Sequence, residues 1–167
     1  RTGFIAPKGR ILVSADYSQF ELRLAAILSG DQALIDDFNH DVDIHTKTAS
    51  EIFHVAPEEV TSEMRKSAKA VNFGIVYGIG PYSLSNDLNI SFKEAKDYIN
   101  GYMATYSGVA EYMTRVVEQA KADGYASTLM GRRRYLPELK ASNAITRGFG
   151  ERVARNMPVQ GTSADII

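Results

Sequence analysis

The sequence predicts an α+β fold that is mostly helical and has a few antiparallel strands. Most of the chain falls into segments whose apolar side chains recur with the 3.6-residue period of a helix. Strand signals are few: an apolar run at 11–15 and a hairpin pattern around 131–134. With 44% hydrophobic residues in 167, one domain can bury about two thirds of its unfolded surface.

Composition excludes several classes of protein. The chain has no cysteine, which excludes disulfides, thiolate zinc sites and cysteine nucleophiles and fits a reducing compartment. No stretch reaches the roughly eighteen apolar residues of a membrane span, and no signal-peptide core is present. We therefore expect a cytoplasmic protein without membrane contact. A monomer is also expected, although composition does not decide this. The absence of a starting Met and an uncompleted helical pattern after Thr162 indicate an excerpt of a longer chain.

The net charge of −1 hides two oppositely charged regions. Residues 31–63 contain nine carboxylates and a single cation, Lys47. Residues 130–155 contain seven Lys or Arg residues against Glu138 and Glu151. The second region is a candidate phosphate-contact surface, and the alternative is an ordinary solvated face.

The elements of the first half follow from turn and capping residues. After the strand at 11–15, a helix is predicted at 21–28 and an acidic helical stretch beyond it. Pro57 and the acidic residues after it predict the first turn of a helix that runs to about Tyr77. The segment 78–81, Gly-Ile-Gly-Pro, predicts the end of that helix.

The second half is predicted in the same way. Ser91 and Glu94 form a capping-box pattern that introduces a helix to about Met103. Another helix follows Gly108 and ends at Gly124. A hairpin with strands at 125–130 and 135–136 comes next, and a closing helix at 142–156 is predicted to break at Pro158.

Asp16 comes directly after the first predicted strand, which places a carboxylate at a strand end facing a cleft. Carboxylate and carbonyl oxygens are the ligands that hard divalent cations prefer. The alternative role for Asp16 is to cap the next helix. A second acidic pattern, Asp41-Val42-Asp43-Ile44-His45, lacks the Gly and distal carboxylate of a calcium loop, so we interpret Asp43 as a helix cap.

Arg65, Lys69, Phe73 and Tyr77 recur at every fourth position of a predicted helix and so share one stripe. From Arg65 to Phe73 the helix spans roughly 12 Å, comparable to a triphosphate and its sugar. The two cations match phosphate oxygens, and the rings match a sugar and bases. The alternative is an amphipathic helix with solvated cations.

The octet at 16–23 and the string at 65–78 resemble motifs A and B of the family A DNA polymerases, and the resemblance covers essentially the whole chain. The strings at 133–137 and 158–162 are similar to further family segments. The resemblance implies the fingers and part of the palm of a right-hand polymerase, with the few antiparallel strands in the palm. Residues 1–30 would be palm with motif A, 31–130 mostly fingers with motif B, and 131–167 a return to the palm.

The resemblance also implies template-directed addition of deoxynucleotides to a primer 3′-hydroxyl, with two Mg²⁺ ions and release of pyrophosphate. The residue matching Asp16 binds both metals, and the carbonyl matching Tyr17 joins one of them. Lys69 and Arg65 would stabilise the reacting triphosphate. The residues matched to substrate binding are Gln19, Glu21, His45, Phe73 and Tyr77. Glu21 matches the gate that excludes a ribose hydroxyl, and Phe73 predicts discrimination against dideoxynucleotides.

Five further residues match family contacts to primer-template DNA: Arg132, Arg133, Arg152, Asn156 and Gln160. On spacing alone, the alternative that they are ordinary surface polar residues is favoured, and only the resemblance supports the DNA contacts. The second palm carboxylate of the family lies beyond this sequence, so we expect the excerpt alone to be inactive. The alternative function is a non-catalytic primer-template binding remnant. A nucleotide kinase is disfavoured because no Gly-x4-Gly-Lys phosphate loop is present.

Overall fold

A computed structural model describes residues 3–167. Within that range the chain forms eight α-helices and one antiparallel two-stranded sheet. The helices are α1 Phe20–Ser29, α2 Gln32–Asn39, α3 Ile44–Phe53, α4 Ser62–Val76, α5 Pro81–Leu88, α6 Phe92–Thr105, α7 Ser107–Asp123 and α8 Ala144–Ile166. The strands are β1 Tyr125–Ser127 and β2 Arg133–Tyr135, with Tyr125 opposite Tyr135. This confirms the predicted mostly helical α+β class.

Capping residues fix several helix ends where the sequence predicts them. The Asp43 carboxylate accepts a hydrogen bond of 3.1 Å from the backbone N–H of His45 and so caps α3. Ser91 and Glu94 form the predicted capping box at the start of α6. Gly124, with φ of 79°, ends α7 in the left-handed conformation that glycine adopts without strain.

The segment before α4 differs from the prediction. Pro57–Glu59 forms a separate 3₁₀ turn, and Thr61 then caps α4 by accepting from the N–H of Met64. The glycine-rich stop is confirmed, because α4 ends at Val76 and Gly78 has φ of 81°. Pro81 then starts α5, a helix that the sequence analysis did not predict.

The predicted strand at 11–15 is wrong for the chain as described. These residues form neither helix nor strand, and their side chains are exposed, with Ile11 at 84% and Val13 at 81%. A strand needs hydrogen bonds from a neighbouring strand. Within residues 3–167 the only sheet is the β1–β2 hairpin, so no partner strand pairs with this run.

The predicted break at Pro158 is also wrong. Helix α8 continues through it to Ile166, although a proline in a helix interior costs about 3 kcal/mol. The surrounding packing offsets that cost, because Pro158, Val159 and Thr162 are all buried. A local rule is overridden here by tertiary contacts.

Helix α8 contributes residues to two hydrophobic clusters. The larger one is built mainly from α1 to α7, and α8 contributes Val159 to it. The smaller one lies between α7, the hairpin and α8, and includes Ala126, Leu136 and Ala154. Helix α8 therefore belongs to both clusters and links them. In the described part of the chain, no helix has the length and apolarity needed to cross a membrane.

Candidate active site

A cavity of about 410 Å³ opens where the start of α1 meets helices α3 and α4 and the end of α8. Nine residues are predicted to bind substrate or metal or to act in catalysis, and eight of them line this one cavity. The lining consists of Asp16, Tyr17, Ser18, Gln19, Phe20, Glu21, His45, Arg65, Lys69, Phe73, Ser163 and Ile167. The ninth, Tyr77, is hydrogen-bonded to Glu21.

The segment before α1 forms the acidic wall of the cavity. Asp16 is exposed there, on irregular backbone that turns into the helix. Gln19, the residue before α1, has φ of 53°, so a non-glycine residue adopts the left-handed conformation at this turn. The rings of Tyr17 and Phe20 lie 5.1 Å apart across it. The turn thereby brings the Asp16 backbone and the first turn of α1 to the same cavity.

Glu21 links this wall to the end of α4. The hydroxyl of Tyr77 donates a short hydrogen bond to the Glu21 carboxylate. Burial, reinforced by the nearby Glu21 charge, raises the pKa of Tyr77 well above its ordinary value, so its hydroxyl keeps its proton. Gln160 approaches the same hydroxyl and partly opposes the rise in its pKa. Residues from α1, α4 and α8 thus meet at one hydroxyl.

Helix α4 supplies the cationic and aromatic wall. The exposed Lys69 places its Nζ 5.8 Å from the centroid of the Phe73 ring. The Phe73 ring is stacked on Tyr77 at 6.1 Å between centroids and lies 5.9 Å from His45. The predicted stripe of two cations and two rings is therefore present, with Tyr77 just past the end of the helix.

Arg65 is held by a partner within the chain. Its Nε lies 2.6 Å from the Asp43 carboxylate, which also accepts from Thr46. Burial alone would raise the pKa of Asp43, but these hydrogen bonds and the Arg65 charge lower it below its ordinary value. Asp43 therefore stays ionised while it caps α3 and orients Arg65. This agrees with its predicted role as a helix cap.

His45 is almost fully buried at the start of α3 and still contributes to the cavity lining. Burial lowers its pKa to about 4, despite the opposing charge of Asp43, so the imidazole is neutral at neutral pH. Its Nδ1 lies 3.0 Å from the side-chain nitrogen of Asn72. The Asn72 amide also accepts a hydrogen bond of 3.0 Å from Thr48. These contacts join α3 to the buried face of α4.

The unbroken α8 carries three of the residues predicted to contact DNA. Arg152, Asn156 and Gln160 are spaced at every fourth position of one helix, so they share a face. Arg152 and Gln160 are exposed, and Asn156 is half-buried.

The hairpin carries the two remaining arginines, Arg132 in its loop and Arg133 at the start of β2, and its loop is docked on α8. Arg132 forms a salt bridge with Asp165, whose side chain is nearly buried. The guanidinium of Arg133 lies 4.6 Å from the centroid of the Tyr125 ring. The loop backbone is fixed by a hydrogen bond of 3.0 Å from the N–H of Leu129 to the Thr162 hydroxyl. Both arginines are exposed, but Arg132 already has an acidic partner.

The sequence analysis missed three residues of this region: Ser163 and Ile167 in the cavity lining, and Asn72 beside His45. Asn72 carried a usable signal, because it is a polar residue among the apolar positions Val71 and Ile75 on the buried side of α4. Ser163 and Ile167 could not be found while the helix was thought to break at Pro158.

The donor set at Asp16 fits only part of a metal site. An exposed carboxylate beside a backbone carbonyl matches the hard oxygen ligands of Mg²⁺. Between Gly3 and Ile167, however, no three His, Asp or Glu side chains come together as a metal-binding group. A complete two-ion site would need at least one further carboxylate.

The comparisons with known proteins agree on one family. The sequence profile described as DNA polymerase family A matches residues 1–167. The chain is similar to DNA polymerase I of Bacillus subtilis strain 168, with 54% identity over 168 residues, covering all of this chain and 19% of that protein. It is also similar to DNA polymerase I of Pseudomonas aeruginosa, with 48% identity over 167 residues, covering 100% of this chain and 18% of that protein.

A solved structure agrees with the fold. The POL domain of Pol1 from M. smegmatis, in complex with DNA primer-template and dNTP, superposes with a TM-score of 0.84 at 48% identity. The match covers 90% of this chain and 27% of that one. The chain thus spans about a fifth of the length of the curated relatives it matches.

Proposed function

Since the chain belongs to DNA polymerase family A, we propose that it forms the nucleotide-binding part of the active site of a template-directed DNA polymerase. The observation that carries this proposal is the single cavity in which Asp16 shares the lining with Lys69, His45 and Phe73. A carboxylate for a cation and a cationic, aromatic helix face for a nucleoside triphosphate are what nucleotidyl transfer needs. The domain proposal follows the family: palm at 1–30, fingers mostly at 31–130, and palm again at 131–167.

In this proposal the primer 3′-hydroxyl attacks the α-phosphate of a deoxynucleoside triphosphate and pyrophosphate leaves. Asp16 and the Tyr17 carbonyl would hold Mg²⁺, with a second carboxylate supplied from outside these residues. When bound, two Mg²⁺ ions supply charge neutralisation and a more acidic hydroxyl. Because only one of the two carboxylates is present, the chain alone is expected to be inactive.

The α4 residues would hold the triphosphate. The exposed Lys69 is placed to neutralise a phosphate oxygen and to stabilise charge on the leaving pyrophosphate. Arg65 would add a second cation, and it must exchange or share its contact with Asp43 to do so. Phe73, with its ring between His45 and Tyr77, would contact the sugar and base.

The α1 residues would select the sugar. Glu21 is fixed by Tyr77, so its carboxylate cannot easily move to admit a ribose 2′-hydroxyl. Gln19, at the turn before α1, would contact the nucleotide or primer end from the same wall.

The duplex would lie along α8 and the hairpin. Arg152, Asn156 and Gln160 offer donors on one helix face, and minor-groove acceptors occupy similar positions in all base pairs. Such contacts detect correct pairing without reading sequence. Arg133 and Arg132 would hold the nearby backbone, with Arg132 anchored by Asp165.

The test is primer extension by the full-length protein that contains this chain, with Mg²⁺ and four deoxynucleotides. The variant is Asp16→Asn, and Asp87→Asn is the matched control, because Asp87 is an exposed carboxylate on α5 outside the cavity lining. Extension by the unmodified protein and the control, but not by Asp16→Asn, is the expected result. Equal extension by all three would remove Asp16 from the metal site.

The lack of a three-carboxylate group within residues 3–167 keeps one other function open, a non-catalytic primer-template binding remnant. That function predicts binding of primer-template by the full-length protein with no extension under any metal condition.

A further inference from the structure

Asn72 is the fully buried polar residue of α4 and has no direct place in the cavity lining. All of its side-chain hydrogen-bonding atoms are used. The Thr48 hydroxyl donates to its Oδ1 at 3.0 Å, and its Nδ2 lies 3.4 Å from the carbonyl oxygen of Ile44 and 3.0 Å from the Nδ1 of His45. Three residues from the first two turns of α3 thus contact one amide.

These contacts determine which way the amide faces. The carbonyl of Ile44 can only accept a hydrogen bond, so the Asn72 nitrogen and not its oxygen must face it. The second hydrogen on Nδ2 is then directed at the Nδ1 of His45. A protonated Nδ1 would place N–H against N–H, so Nδ1 must be the accepting nitrogen.

The neutral imidazole carries its hydrogen on one nitrogen. With Nδ1 accepting, that hydrogen resides on Nε2. This nitrogen is the one that remains available to the cavity, which His45 lines together with Lys69 and Phe73. We propose that Asn72 is a positioning residue that holds His45 as the Nε2–H tautomer, so that His45 presents a neutral hydrogen-bond donor to a phosphate oxygen of the bound nucleotide. This inference rests on the proposed function and assigns the regulation of one contact within it.

The burial of His45 supports the assignment. Its pKa of about 4 keeps the ring neutral at working pH, so the choice of tautomer decides whether the cavity meets a donor or an acceptor. A lone pair facing a phosphate oxygen would repel it, whereas an N–H would bind it. Asn72 therefore controls the sign of this interaction without touching the substrate.

If Asn72 only joined α3 to α4, the loss of any hydrogen bond in the same network should have a similar effect on KM. Thr48→Val removes a buried hydrogen bond from the same network and leaves the Asn72–His45 contact in place. It is therefore the matched control for general loosening between the two helices.

The first readout is the ¹⁵N spectrum of histidine in the full-length protein, with the His45 signals assigned by their loss in His45→Ala. We expect Nδ1 without a proton and Nε2 with one at neutral pH. In Asn72→Asp, a carboxylate replaces the donor, and we expect Nδ1 to gain a proton. An Nδ1–H form in the unmodified protein, or no change in Asn72→Asp, overturns the proposal.

The second readout is the KM for deoxynucleotide in primer extension. Asn72→Leu is expected to raise KM about tenfold, the size of one hydrogen bond to a charged group, with less effect on kcat. In a His45→Ala background the same change should add less than about twofold, and Thr48→Val alone should raise KM by less than about threefold. An equal effect of Asn72→Leu with and without His45 refutes action through His45. If the unmodified protein does not extend a primer, the proposed function fails, and the ¹⁵N result still decides the tautomer.

Discussion

Asp31 connects two helices at a buried position, and its loss should destabilise the protein strongly. One carboxylate oxygen accepts a hydrogen bond of 2.9 Å from the N–H of Leu34 and caps α2. The other accepts one of 3.1 Å from the N–H of Val109 in the first turn of α7. The residue is 4% exposed, so water cannot replace either contact in the Asp31→Ala variant.

The magnitude follows from these two contacts. Loss of a helix cap costs about 0.5–2 kcal/mol, and loss of a hydrogen bond to a charged, buried acceptor costs about 1.5–3 kcal/mol. We expect Asp31→Ala to lower the free energy of unfolding by about 2–5 kcal/mol. Asp31→Asn should cost less, because its amide oxygen can keep one of the two bonds while its nitrogen faces an N–H.

The assay is urea denaturation followed by circular dichroism, with Asp36→Ala as the matched control. Asp36 lies on the same helix but is exposed, and its side chain bonds only to Gln32, so its replacement by Ala should change the free energy of unfolding by less than about 0.5 kcal/mol. A cost for Asp31→Ala no larger than that of the control would refute the double-cap reasoning.

Three further outcomes are expected. Gly161→Ala places a methyl group 2.5 Å from the Thr128 side chain and should lower the free energy of unfolding, measured by thermal unfolding, by about 1–3 kcal/mol. The control is Gly148→Ala on the same helix, which meets nothing closer than 3.8 Å and should be neutral or stabilising. Equal effects of the two changes would contradict the contact with Thr128. The contribution of His45 to the free energy of unfolding should be lost as pH is lowered from about 6.5 to about 4, because the unfolded state binds a proton at His45 that the folded state refuses. This contribution is at most about 3 kcal/mol, and His45→Gln should flatten the stability curve across that pH range. Phe73→Tyr should reduce discrimination against dideoxynucleotides in competition assays of the full-length protein, and unchanged discrimination would remove Phe73 from the sugar contact.

Features that depend on neighbouring residues in sequence were predictable. The Asp43 cap, the Ser91 capping box and the Gly124 stop each involve atoms within a few residues of one another. The stripe from Arg65 to Tyr77 was predictable for the same reason, because helical spacing alone sets which side chains share a face.

Features that depend on distant contacts were not predictable. A strand at 11–15 requires a partner strand, and the local pattern cannot say whether one is available. The passage of α8 through Pro158 depends on burial of that helix against two clusters. The engagement of Arg65 by Asp43 and of His45 by Asn72 joins residues more than twenty positions apart, so composition and period contain no sign of it.

The exposed apolar side chains before α1 have a practical consequence at the bench. Phe4, Ile5 and the run at 11–13 expose apolar side chains on backbone that belongs to no helix or strand, so its amide and carbonyl groups can pair with a similar segment. Purified as a free piece, the 167-residue chain should therefore associate with itself in a concentration-dependent manner. Charged replacements at Ile11 and Val13 are a simple way to obtain a well-behaved sample, because both side chains point into solvent and neither lines the cavity.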